Sequence, residues 1–213
     1  MTSILDPAIT SYLESLHLRE DNDVVLEMEA LARERSFPIV GRLCGVFLEV
    51  MAGAVGARRV FEFGSGFGYS AYWFSRAVGP EGSVICTEAE EENVARAESF
   101  LRRAGRWDRV DYHCDWAQDV FARVEGDFDV IYNDANKEGY PEIWEMARER
   151  IRPGGLYIVD NTLWKGAVAD AKADDDSTVA IRRHNLAVAE DPRFEFFLHP
   201  VRDGLITARR KEV

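Results

Sequence analysis

The chain has 213 residues, 46% of them hydrophobic and 30% charged, the balance of a soluble globular protein that can bury one sizeable core without staples. Its 38 acidic and 26 basic side chains leave a formal net charge of -12, which argues against duplex nucleic acid as a partner. No run approaches the ~20 apolar residues of a membrane span, and the N-terminus has no basic stretch followed by an apolar one, so a cytoplasmic protein with no membrane attachment is expected.

Asp6-Pro7 reads as an N-cap followed by proline at the first helical position, opening a short helix. Asp21 or Asp23 can cap a second helix carrying Val24, Leu26, Met28, Leu31 and Ala32, which must end before Pro38. Leu43, Val46, Phe47 and Val50 at helical spacing predict a third helix over 43–55. From there the pattern alternates: strand 59–63, helix 69–78, strand 83–88, helix 93–104 stopped by Gly105, strand 109–114, helix 117–124, strand 128–132, helix 141–151, strand 155–159 and helix 178–189. Repeated strand–helix–strand units imply right-handed crossovers and a parallel sheet with helices on both faces. Two further strands, 194–201 and 205–209, flank Arg202-Asp203-Gly204, and Asp-Gly between strands is a hairpin signal. The expected fold is therefore α/β, a parallel sheet finished by an antiparallel hairpin. One domain over 1–213 is expected, with helices in 1–56 and the sheet core in 57–213. Asp174, Asp175 and Asp176 place three like charges in a row, so 169–177 is expected to be an exposed loop. Cys44, Cys86 and Cys114 are odd in number and widely spaced, which indicates neither a zinc site nor a disulfide framework but buried free thiols in a reducing compartment.

Functional groups of such sheets gather at the carboxyl ends of the strands. After the first strand comes Gly64-Ser65-Gly66-Phe67-Gly68, spaced G-x-G-x-G and not as the G-x-G-x-x-G dinucleotide fingerprint of a dehydrogenase. Such glycines let the backbone pass close under a ligand, or simply make a tight strand-to-helix turn. Glu88, about 20 positions on and at the next strand end, can accept both hydrogen bonds of a ribose diol, or belong to the solvated acidic run 88–92. Asp115 and Trp116 follow the third strand. They can hold and cover an adenine ring, or serve as an N-cap and an interface tryptophan.

The fourth strand ends in Asp134 and the fifth in Asp160-Asn161. If these strands are neighbours, their ends lie ~5 Å apart and present three hard oxygen ligands to one point. Mg²⁺ wants about six oxygens and leaves positions open to water or substrate. No His or Cys lies near either strand end in sequence, which argues against zinc. The alternative is a pair of capping or turn aspartates. Lys137 sits three residues after Asp134. A bound cation beside it would disfavour its protonated form and let it serve as a base; otherwise it is an exposed lysine at a loop end.

These residues resemble the cation-dependent class I S-adenosylmethionine O-methyltransferases, the group of catechol and caffeoyl-CoA O-methyltransferases. The resemblance runs from about Glu34 to Lys211. It is carried by Phe37-Pro38-Ile39-Val40-Gly41, by the glycine loop, by Asn133-Asp134-Ala135-Asn136-Lys137, by Val159-Asp160-Asn161-Thr162-Leu163-Trp164, and by the stretch through Asp203-Gly204-Leu205. It implies a Rossmann-like sheet of seven strands with the last antiparallel. It implies that Val40, Glu62, Gly64, Ser65, Ser70, Glu88, Asp115, Trp116 and Asp134 line the S-adenosylmethionine site, that Asp134, Asp160 and Asn161 hold Mg²⁺ or another divalent cation, and that Lys137 is the base. The expected acceptor is a small vicinal-dihydroxy or phenolic molecule, with Trp164 and Tyr140 as candidate pocket walls, and a homodimer is the expected assembly. Asn136 stands where many members have Asp, and Cys44-Gly45 where many have Gln-Gly. Phe196 and Phe197 stand where the animal catechol enzymes use a glutamate, so strict catechol specificity is not expected. The alternative acceptor is a hydroxylated tRNA nucleoside, suggested by the basic cluster Arg102, Arg103, Arg106 and Arg109 and opposed by the net charge.

Overall fold

Alternation along the strands decides which side of the sheet each helix covers. In the computed structural model, which describes residues 6–17 and 23–212, the elements run α1 (Pro7–Leu16), α2 (Asp23–Arg35), α3 (Gly41–Ala54), β1 (Arg59–Phe63), α4 (Tyr69–Ala77), β2 (Ser83–Glu88), α5 (Glu91–Arg103), β3 (Val110–Cys114), α6 (Ala117–Arg123), β4 (Phe128–Asn133), α7 (Tyr140–Ala147), β5 (Ile151–Val159), α8 (Asp176–Glu190), β6 (Phe194–His199) and β7 (Leu205–Arg210). Val60, Val84, Val130 and Ile158 point to one face, where they pack with α2, α3, α4 and α5. Phe61, Phe63, Ile131 and Val159 point to the other and pack with α6, α7 and α8.

The seven strands lie in the order β3-β2-β1-β4-β5-β7-β6. Pairings from β3 through β5 are parallel, and β7 runs antiparallel to both β5 and β6. This is the α/β sheet with a closing hairpin that the sequence implies. Strand order reverses between β1 and β4, so the carboxyl ends of β1, β4 and β5 flank the crevice where such sheets bind ligands.

Several boundaries differ from the sequence reading. The second helix begins at Asp23, while the alternative cap, Asp21, lies outside the described residues. The seventh helix ends at Ala147, not 151, because Ile151 is claimed by β5, where it pairs with Phe128. Between the pairs Phe128–Ile151 and Val130–Leu156 the strand bulges around Pro153, Gly154 and Gly155. The acidic segment near 174–176 is exposed but is not a plain loop. Asp175 caps α8, accepting from Thr178 N at 3.0 Å and Thr178 Oγ1 at 2.7 Å, and Asp176 sits favourably in the first turn of that helix. Arg182 then gathers the loop before it, donating to the carbonyls of Val168, Ala173, Ala167 and Asp170. The cysteine reading holds for Cys44 and Cys86, which are buried, but Cys114 is exposed. Its strand, β3, is the sheet edge and has only partial cover.

The far end of α8 is fastened by a buried carboxylate. Asp191 accepts from Arg193 N at 3.0 Å, from Arg193 Nη2 at 2.7 Å and from Arg148 Nη1 at 3.2 Å, tying α7, α8 and β6 together. The Arg193 guanidinium, then its backbone N–H, hold this carboxyl at about 2 against an ordinary 3.8. A lowered folded-state value means that the stabilisation is complete above pH ~4 and is lost as pH falls through ~2. Asp191→Asn should therefore lose ~1–2 kcal/mol at pH 7, allowing for the partly exposed Arg193. Urea unfolding should show that loss at pH 7 and a much smaller difference from wild type near pH 2.5.

Candidate active site

The crevice is built first by the loop after β1. Gly64, Gly66 and Gly68 take φ of +81°, +51° and +87°, a region that side-chain-bearing residues rarely enter. A Cβ at Gly64 would lie 2.9 Å from the Asp134 carbonyl oxygen, so the β1 loop and the end of β4 approach closer than any side chain permits. Thr87 of β2 latches the loop. It accepts from Gly64 N at 3.2 Å through Oγ1 and from Ser65 N at 2.8 Å through its carbonyl, while its own N–H donates to Ser65 Oγ at 3.1 Å. Glu62 lies beneath, fully buried, and burial pushes its carboxyl up to about 7 against the opposing pull of the Ser70, Ser65 and Cys86 groups. Among the described residues its Oε1 has no hydrogen-bond partner.

The ends of β4 and β5 supply the charged side of the crevice. Asn133 pairs with Val159 across the two strands, which brings Asp134 and Asp160 to adjacent ends. Asp160 is 5% exposed, and burial, then the Asp134 charge, pushes its carboxyl up to about 7. Its Oδ1 accepts from Asn161 N at 2.8 Å. Lys137 lies against Asp134, donating to Oδ1 at 2.9 Å and to the Ala135 carbonyl at 3.1 Å, with Nζ 5.1 Å from the Tyr140 ring centre. Asn161 has φ +58°, which turns the chain sharply after β5. Asparagine tolerates that region better than most residues.

These groups share one cavity of about 520 Å³. Val40, Gly64, Ser65, Ser70, Glu88, Asp134, Lys137, Asp160 and Asn161 all line it. Asp115 and Trp116 line an adjoining hollow of about 350 Å³ that also contains Gly64, Glu88 and Asp134. Asp115 is ion-paired to Arg123 at 2.7 Å and Trp116 is 68% exposed, an open face for a planar ligand. The acidic run after β2 separates in function: Glu88 faces the cavity, whereas Glu91 and Glu92 occupy the first turn of α5, where they complement the helix dipole. Of the two candidate pocket walls, Trp164 lines the cavity, but Tyr140 is fully buried and instead donates its hydroxyl to the Asp160 carbonyl at 3.0 Å. Lys165, Arg202 and Asp203 line the same cavity; the sequence marks the last two as a hairpin turn and assigns none of the three to the site.

Among the described residues no group of three or more His, Cys, Asp and Glu side chains could hold a metal ion. The donors gathered at the β4 and β5 ends are two carboxylates and one amide. The basic cluster is largely committed within the protein: Arg102 pairs with Glu98 at 2.8 Å, Arg103 with Glu27 at 2.6 Å, and Arg109 donates to the Ser75 carbonyl at 3.2 Å. Among the described residues no helix is long and apolar enough to cross a membrane.

A crevice of this kind on a sheet of this order is that of a methyltransferase. A sequence profile described as O-methyltransferase matches residues 20–211, and the chain belongs to that family and is an O-methyltransferase. It is related to the catechol and caffeoyl-CoA O-methyltransferases. It is 33% identical over 188 residues to the catechol O-methyltransferase of Mycobacterium tuberculosis, covering 87% of this chain and 85% of that protein. It is 30% identical over 178 residues to caffeoyl-CoA O-methyltransferase 1 of Eucalyptus globulus, covering 78% and 72%. Among solved structures, the O-methyltransferase from Bacillus cereus in complex with SAH matches with a TM-score of 0.86 at 29% identity over 96% of this chain and 97% of that one. The O-methyltransferase TomG from Streptomyces achromogenes, in complex with SAM, matches with a TM-score of 0.86 at 28% identity over 96% of both chains.

The buried Asp160 is a charge held at a cost. Its raised folded-state value means that the destabilisation is absent near pH 4, grows with pH and is complete above ~7. In chelator-treated protein, Asp160→Asn should be ~1–3 kcal/mol more stable than wild type at pH 8, since it removes a buried carboxylate facing a like charge. Thermal unfolding at pH 8 and at pH 4.5 should show the gain at the higher pH and little at the lower.

Proposed function

We infer that this O-methyltransferase moves the methyl group of S-adenosylmethionine to a hydroxyl of a small phenolic or vicinal-dihydroxy acceptor, with a divalent cation, Mg²⁺, held by Asp134, Asp160 and Asn161. The observation that carries this reading is the meeting of those three oxygen donors and Lys137 in the cavity that also contains the glycine loop and Glu88. The donor set fits the cation: all are hard oxygens, and a positive ion would relieve the repulsion between Asp134 and the buried Asp160. The similarity to catechol and caffeoyl-CoA O-methyltransferases supports a phenolic acceptor. A cytoplasmic location and a homodimer belong to the same reading.

When bound, the cation supplies Lewis-acid polarisation that makes a nearby acceptor hydroxyl more acidic. The rest of the chemistry is done by side chains and backbone. Glu88 accepts from the ribose hydroxyls, and the glycine loop passes under the nucleoside. Asp134 and the Ala135 carbonyl fix the Lys137 amine at the mouth of the donor set, where in its neutral form it takes the hydroxyl proton. The acceptor oxygen then attacks the sulfonium methyl in line, and the electron pair of the breaking carbon–sulfur bond stays on sulfur. Orienting both partners can lower the barrier by ~7–11 kcal/mol. Trp164, which lines the same cavity, would face the acceptor.

Methyl transfer from labelled S-adenosylmethionine to catechols, hydroxycinnamoyl thioesters and hydroxylated tRNA, with Mg²⁺ or with chelator, tests the reading. A phenolic acceptor should be methylated only with the cation, and tRNA should not. Asp160→Ala should abolish cation-dependent turnover and weaken S-adenosylmethionine less, while calorimetry on Glu88→Ala should show weakened cofactor binding. Lys137→Ala should keep cofactor affinity but lose ~10²–10⁴-fold in turnover near neutral pH, partly recovered as pH rises. Full turnover of Lys137→Ala in chelator would contradict both assignments.

A further inference from the structure

A buried histidine stands behind the donor set. His184 of α8 is fully buried, and desolvation lowers its value to about 4, so the ring is neutral. Three chains of contact leave it. In the first, Nε2 faces the Tyr157 hydroxyl at 3.2 Å, and that hydroxyl accepts from Asn133 Nδ2 at 3.1 Å. Asn133 Oδ1 in turn accepts from Ala135 N at 3.2 Å, so this chain grips the backbone on both sides of Asp134. In the second, Nδ1 faces Asn185 Oδ1 at 3.1 Å, and Asn185 Nδ2 donates to the Thr162 carbonyl at 2.8 Å, one residue beyond Asn161. In the third, the imidazole packs edge-on against the Tyr140 ring at 5.3 Å, and the Tyr140 hydroxyl holds the Asp160 carbonyl at 3.0 Å.

The donor directions are mutually consistent. Asn133 gives an N–H to Tyr157, so Tyr157 gives its O–H to Nε2. That leaves Nδ1 protonated and donating to Asn185 Oδ1, which frees the Asn185 amide N–H groups for Thr162. Every polar atom along these two chains is satisfied by a neutral ring in one tautomer. A completed buried network of this kind holds a single geometry, whereas a partly broken one leaves unpaired groups that pull the backbone elsewhere. β4 and β5, the latter with the turn after it, are separate segments of the chain; beside the strand ladder and the turn before β7 that accepts Thr162 N and Leu163 N, this network ties their ends together.

We propose that His184 is a positioning residue for the cation site: through Tyr157, Asn185 and Tyr140 it sets the spacing of Asp134, Asp160 and Asn161. This rests on the reading of those three residues as cation ligands. Removing partners that orient ligands costs about 10–100-fold in metal affinity in other sites. A merely structural histidine would instead lower overall stability and weaken both ligands of the cavity together.

The test is Mn²⁺ affinity by electron paramagnetic resonance, with S-adenosylhomocysteine affinity by calorimetry on the same full-length proteins. His184→Leu should weaken Mn²⁺ at least tenfold and change S-adenosylhomocysteine affinity less than about threefold, because the glycine loop and Glu88 are untouched. Tyr157→Phe and Asn185→Leu each cut one chain, and each should give a smaller loss of the same kind. They also keep the proposal open to test if His184→Leu fails to fold. Unchanged Mn²⁺ affinity in Tyr157→Phe and Asn185→Leu, or parallel loss of both ligands, would overturn the proposal. Wild type and Asp160→Ala are titrated alongside. Wild type that binds no Mn²⁺ would sink the cation reading itself, whereas Mn²⁺ bound by wild type and all three network variants alike would sink only the role of His184.

Discussion

Two carboxylates at the ends of neighbouring parallel strands, one of them nearly sealed from water, repel each other, and the rest of the site is arranged around that repulsion. Asp134 finds one partner in Lys137 at 2.9 Å, but among the described residues Asp160 has only its neighbour's backbone N–H and the more distant pull of Arg202 and Lys137. A buried charge left so poorly matched is unfavourable for folding. Such unmatched groups concentrate where binding or chemistry supplies the missing partner. In the proposed function, a cation that meets both carboxylates and the Asn161 amide would supply it. The same repulsion that is unfavourable for the fold would then give a bound cation its affinity.

The sheet order makes the conflict unavoidable. β1, β4 and β5 lie side by side and parallel, so whatever follows each strand is delivered to one edge. The closing hairpin then confines the exit from β5. The turn before β7 accepts Thr162 N at its Gly204 carbonyl and Leu163 N at its Asp203 carbonyl, at 3.1 and 2.8 Å, and the Asp203 carboxylate accepts from Lys165 N. Asn161, Trp164, Lys165 and Arg202 all have positive φ. Strained backbone of this kind persists only where surrounding contacts overdetermine it, and here it lines one wall of the cavity. Gly204 shows how tight the fit is, since a Cβ there would lie 2.6 Å from Leu163 Cγ.

Much of this was legible in the sequence because strands announce themselves as short apolar runs and their polar ends stand out. Asp134, Lys137, Asp160 and Asn161 could be singled out from the two runs they terminate, and Gly64 to Gly68 from their spacing. The parts that were not legible depend on contacts between distant segments. Tyr140 read as an aromatic wall, but only the packing of α7 against α8 shows it buried beneath Asp160. Asp203 read as a turn residue, because its hold on 163–165 joins segments about 40 positions apart. His184 sits within an ordinary helical pattern, and nothing local marks it as the centre of a network reaching β4 and β5. Helix limits shifted for similar reasons: Ile151 was drawn into the sheet by its pairing with Phe128.

The proposed function requires Asp134, Asp160 and Asn161 together to hold a divalent cation. It is tested most directly by anomalous diffraction from crystals of the protein grown with Mn²⁺, S-adenosylhomocysteine and a catechol. The account predicts one strong anomalous peak within coordination distance of both carboxylates and the Asn161 side-chain oxygen, absent from crystals of Asp160→Ala grown in the same way. A wild-type map with no peak between the β4 and β5 ends, from protein that still transfers methyl groups in chelator, would contradict it.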